Sequence, residues 1–98
     1  MNKLLVLLLI TFLGINLQAK HEFEVEAERY DKKSALAYKL GDPKIGRLYR
    51  RMAAIKRNAV IWEKQHGKST PKSYWVEYFR LDREVKVWCD KHKIDPDS

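Results

Sequence analysis

The sequence predicts an all-α protein: a small three-helix bundle behind an N-terminal signal peptide that is cleaved. Three observations carry this expectation. An uncharged apolar run opens the chain, two breaks built from Gly and Pro divide the remainder into three segments, and the later segments repeat apolar residues at spacings of three and four. A chain of 98 residues has room for one small domain and none for a cofactor domain beside a substrate domain.

The leader comes first. Lys3 precedes an uncharged stretch from Leu4 to Leu17, and Leu17-Gln18-Ala19 offers a small residue at its exit, the three parts of a secretory signal. As a helix that stretch reaches roughly 21 Å at about 1.5 Å per residue, short of the roughly 30 Å of a bilayer core. Residues 1–19 are therefore read as the signal peptide and 20–98 as a single helical domain in the periplasm or outside the cell. Retention of the leader as an anchor is the alternative. The lone cysteine, Cys89, has no partner for an internal disulfide, so helix packing must supply the stability that secreted mini-domains often take from disulfides. Cys89 is read as a small apolar core residue; an unpaired cysteine in an oxidising compartment also allows a Cys89-linked homodimer.

The first segment of the domain supports two periodicities. Glu22, Glu24, Glu26 and Glu28 alternate with Phe23, Val25 and Ala27 at period two, as in a strand. Phe23, Ala27, Tyr30, Ser34 and Ala37 also fall on one helical face, with acids early and Lys32, Lys33 and Lys39 late, which complements the helix macrodipole. A helix over about 23–40 is expected. Gly41-Asp42-Pro43 then supplies a stop, a cap and a first-turn proline. From 43 to 66, Ile45, Leu48, Met52, Ile55, Ala59 and Trp62 form one stripe, Ala53 and Val60 widen it, and Ile61 lies away from it. So broad an apolar surface suits the middle helix of three.

The second break, His66-Gly67-Lys68-Ser69-Thr70-Pro71, repeats the grammar, with Thr70 as the expected cap. A third helix is expected over 71–93, carried by Tyr74, Tyr78, Leu81, Val85 and Trp88 and flanked by Trp75, Phe79 and Cys89. The aromatic run 74–79 alone favours a strand, but the mixed-charge helix formers from Arg80 to Lys86 outweigh it.

Charge is unevenly placed. The formal net charge is +7, and removing Lys3 with the leader leaves +6. Between Asp42 and Lys72 stand nine bases against two acids, so the positive field belongs to the middle helix and the loop after it. Such a ridge attracts anions. Export disfavours nucleic acid as the target, leaving an envelope or secreted protein with an acidic face, or anionic lipid and cell-wall polymer. A solvated, solubilising face is the plain alternative.

No spacing of residues marks catalysis. There is no phosphate-cradling glycine loop, with four glycines in all, and no nucleophile set near a histidine. Cys89 and His92 share a helix face, but a zinc site needs three or four ligands and His66 is expected at the far end of the last helix. No cofactor or metal is expected, nor an enzyme. The Lys20-His21 pair that cleavage would expose could chelate copper in principle, though nothing else in the sequence points there. What remains is binding, for example by an inhibitor or immunity-type factor. Arg47, Arg50, Arg51 and Arg57 would steer the partner, and the aromatic group Tyr74, Trp75 and Phe79 would anchor it.

Overall fold

The computed structural model describes residues 21–98, so the leader assigned to 1–19 lies outside the described residues. Three α-helices run up, down and up: α1 (Glu22–Lys39), α2 (Pro43–His66) and α3 (Val76–His92), with a 3-10 turn at Lys72–Trp75 leading into α3. No strand occurs among the described residues. The all-α, three-helix expectation holds, and the period-two pattern of the first segment gives way to α1. Glu22 and Glu24 stand in its first turn and Lys39 in its last, the polarity the macrodipole favours. His21 caps α1, its Nδ1 accepting from the Phe23 amide at 3.0 Å.

At the α1–α2 reversal the Asp42 carboxylate accepts from the Ile45 amide and Pro43 occupies the first turn, as the spacing predicts. α2 ends at Gly67, whose φ of 65° is left-handed and whose amide bonds Glu63 O at 2.8 Å. Glycine takes that backbone without a Cβ penalty.

The third element differs from expectation at its start. Thr70 caps no helix. Its hydroxyl donates to Glu63 and accepts from the Trp75 indole N–H at 2.9 Å, and Pro71 precedes a 3-10 turn with no side-chain cap. The indole takes the acceptor that a helix N-terminus would have used.

α2 lies between its neighbours and is buried along Gly46, Tyr49, Met52, Ala53, Ile55, Lys56, Ala59 and Val60. The core joins Tyr49, Met52 and Ile55 of α2 to Tyr78, Leu81, Val85, Trp88 and Cys89 of α3, with Ala37 and Tyr30 from α1. Aromatic rings fill the volume that leucines fill elsewhere: Tyr49 meets Trp88 edge-on at 6.1 Å, and the Tyr30 and Tyr78 hydroxyls hydrogen-bond each other. α1 and α2 approach closely where Ser34 Oγ donates to Gly46 O at 2.7 Å, and a Cβ on Gly46 would meet the Tyr38 ring at 2.6 Å. Cys89 is fully buried, its Sγ 3.1 Å from the Tyr49 hydroxyl. An intermolecular bridge through it would require α3 to lift off α2.

Candidate functional site

α2 carries the charge because of what its one carboxylate does. Glu63 is the only acid in Pro43–His66, and it faces the loop rather than the ridge. It accepts from the Thr70 amide at 3.0 Å and from His21 Nε2 at 3.1 Å. The Thr70 amide, with His21 behind it, holds the Glu63 carboxyl below its ordinary range. The outward side of α2 is left with Lys44, Arg47, Arg50, Arg51, Arg57 and Lys64, all exposed, and no acid of its own.

Neighbouring helices neutralise part of this. Arg51 forks onto Glu77 of α3 with contacts of 2.8 and 3.1 Å. That hydrogen bonding raises the guanidinium and lowers the carboxyl from their ordinary ranges. Arg57 reaches Asp31 of α1 at 2.5 Å. Arg50 lies over the Tyr38 ring, 5.7 Å from its centre. Arg47 makes no ion pair among the described residues and is exposed. Exposed pairs such as these contribute about 0–1 kcal/mol each, so they orient the arginines more than they stabilise the fold.

Of the aromatic residues expected to work with these arginines, Tyr74 stands within electrostatic reach of Arg51 and Phe79 opens on another side. Tyr74 donates to Ile55 O at 3.3 Å, and Trp75 packs edge-on against Phe23, Tyr74 and Tyr78 at 5.1 to 5.5 Å. Both are half-buried and engaged inside the fold. Phe79 is 58% exposed and lines a cleft of about 420 Å³ with Glu26, Arg29, Tyr30, Tyr78 and Asp82. Arg50 and Arg57 line a different groove, of about 600 Å³, with Asp31, Ser34, Ala35, Ala54 and Asn58. At 100° per residue the α1 residues lining these two hollows point to opposite sides of that helix. Arg50 and Arg57 therefore share a surface that Phe79 does not.

Sequence reasoning missed what the rings of Trp75 and Tyr78 surround. The Lys56 ammonium lies over Phe23, Tyr78 and Trp75, at 4.6, 4.7 and 5.0 Å from the ring centres. It pairs with Glu26 at 2.5 Å, and the residue is 7% exposed. The cage draws on α1, the 3-10 turn and α3 at once. Its signal was in the sequence: Lys56 has buried Met52 and Val60 four residues to either side, on the apolar stripe.

Among the described residues no group of three or more His, Cys, Asp or Glu side chains could hold a metal ion. Those singled out as possible ligands are placed apart: Cys89 is in the core, the His92 ring lies against Trp88 at 5.0 Å, and His66 stacks on Trp62 at 4.0 Å. No helix of the described residues is long and apolar enough to cross a membrane. No protein-family model, no curated protein and no solved structure matches the chain.

Proposed function

We propose that the protein is an exported binding module that docks, without catalysis of its own, on an acidic face of another envelope or secreted protein, as an inhibitor or immunity-type factor does. One observation carries the reading: the outward side of α2 presents six exposed cations while its single carboxylate is tied to Thr70 and His21. Like charge that neighbouring helices offset only in part, at Arg51 and Arg57, costs stability through self-repulsion, and it steers association with an oppositely charged surface. Arg47 and Arg50 are the residues to change. A tagged protein should capture its partner from envelope extract at low salt and lose it as salt rises. The double variant Arg47→Glu/Arg50→Glu should capture none. Equal capture by the variant would refute the ridge as the docking surface.

A second reading, adsorption to anionic lipid or cell-wall polymer, is favoured by the outer side of α3. Val76, Phe79 and Val87 are 69, 58 and 70% exposed there, with Arg80 and Arg83 between them. Apolar insertion beside cations suits a headgroup layer. Salt-sensitive sedimentation with anionic but not neutral vesicles, abolished by Phe79→Ser, would support this reading over the first.

A further inference from the structure

We propose that the face of the α1–α2 hairpin that α3 leaves uncovered is a self-association surface, and that its occupant is a second copy of this chain related by a two-fold axis along the groove. α3 covers one side of the hairpin. On the other side two hollows of about 600 and 330 Å³ run into each other at Arg57, which lines both. The groove has walls of opposite sign. Glu24, Glu28 and Asp31 of α1 form one wall, and Arg50, Arg57 and Lys64 of α2, seven residues apart, form the other. Between them the floor is made by Ser34, Ala35, Ala54 and Val60, small enough for another helix to come close.

This pattern discriminates between occupants. A uniformly acidic partner would meet the α1 carboxylates, and a uniformly basic one the α2 cations. A copy of the same surface satisfies both. Rotation by 180° about an axis parallel to the groove lays α1 of each copy on α2 of the other without changing height along the axis. Antiparallel packing already sets Glu24 level with Lys64, as the neighbouring His21–Glu63 contact shows, and Asp31 level with Arg57. Each acidic wall therefore faces the partner's basic wall in register, as an isologous contact demands. Glu24 and Lys64 form no ion pair within their own chain among the described residues, and Ile61, 53% exposed on the same groove, gains apolar cover.

The size of the face sets the strength. α1 has 18 residues, about 27 Å of helix, and two helices side by side span roughly 20 Å. That gives about 500 Å² per copy and about 1,000 Å² in all, the lower edge of specific interfaces. A dimer in the range of tens to hundreds of micromolar is the consequence. The groove shares Arg50, Arg57 and Lys64 with the proposed docking ridge but not Arg47, and sedimentation of the purified protein reads self-association alone, so failure of one reading is distinguishable from failure of the other.

The test is sedimentation velocity of the purified protein from about 10 μM to 1 mM, in low and high salt. Wild type should pass from monomer to dimer, more weakly as salt rises. Glu24→Lys and Lys64→Glu should each weaken the dimer at least about fivefold, the scale of two exposed ion pairs turned to repulsion. Mixing the two single variants should restore association. In the mixed pair one copy carries lysine at both positions and the other carries glutamate at both, so opposite charges meet at both of the symmetry-related 24–64 contacts. Helical content by circular dichroism confirms that the variants fold. A protein monomeric throughout, a dimer indifferent to either charge reversal, or a mixture no tighter than its components would each overturn the proposal.

Discussion

Replacing Lys56 by methionine tests whether the aromatic cage stabilises the fold through its charge. Methionine keeps the length and apolar stem of the side chain and removes only the ammonium, which sits 4.6 to 5.0 Å from three ring centres. A desolvated cation–π contact contributes about 2 kcal/mol. Against this, discharging a buried cation relieves its desolvation, which can make an apolar replacement neutral or better. The partner decides the balance. The Glu26 side chain is 25% exposed, so after the substitution it hydrates in place and adds little penalty, and the lost ring contacts dominate. Lys56→Met should therefore cost about 2 kcal/mol, a fall in Tm of roughly 8–16 °C for a domain of this size. Glu26→Gln, which leaves the ammonium among its rings, should cost about 1 kcal/mol, below the usual value for a hydrogen bond to a charged group because the carboxylate is part-solvated. The double variant should be close to Lys56→Met alone, since the second change removes a contact already lost. Urea unfolding followed by circular dichroism supplies all three numbers, provided the m-value is unchanged. A Lys56→Met protein as stable as wild type, or one more stable than Glu26→Gln, would refute the reasoning.

Three further outcomes follow from the geometry. Gly67→Ala should destabilise by about 1 kcal/mol, read in the same urea assay, because the left-handed φ of 65° is strained for alanine while the added Cβ touches nothing within 4 Å. Glu63 and Glu77 titrate below their ordinary value of 4.5 in the fold, so their contribution is complete above that pH and is lost as the pH falls through the lower folded values. Thermal melts from pH 6 to pH 2 should show a loss that flattens in Glu63→Gln/Glu77→Gln. Cys89 is fully buried, so a thiol reagent should react with the native protein only through opening of the fold. Its labelling rate should rise with urea in parallel with the Lys56→Met destabilisation, and rapid stoichiometric labelling of native protein would contradict the burial.

Which parts of this architecture were legible from the sequence depends on how local the physics is. The α2 boundaries were readable because Asp42, Pro43 and Gly67 act within a turn of where they stand, and the stripe from Ile45 to Trp62 repeats with the period of the helix. The start of α3 was not, because Thr70 is claimed by Glu63 and by the Trp75 indole, partners that depend on how the loop folds back. For the charged site the limit is similar. The excess of bases near α2 can be counted, but their division among Glu77, Asp31 and the Tyr38 ring is set by which helix lies on which side. Residue type alone assigns the arginines to steering and Trp75 and Phe79 to anchoring, and it does not say that Phe79 opens on a different hollow from Arg50 and Arg57. Lys56 was overlooked because a lysine reads as a solvent residue unless its helical position is weighed against its neighbours.

The placement of Glu63 bears on how the molecule assembles. Cut free, residues 43–66 would carry seven cations at short helical intervals with one carboxylate to offset them, and such a segment repels itself out of the helical state in dilute salt. The carboxylates that quiet it, Asp31, Glu26 and Glu77, all come from flanking segments. The central rod of the bundle is therefore the piece least able to form by itself, and its coiling should be concerted with arrival of the outer two. Stopped-flow folding in which helical signal and burial of Trp75 rise with one rate constant is the kinetic signature of that dependence.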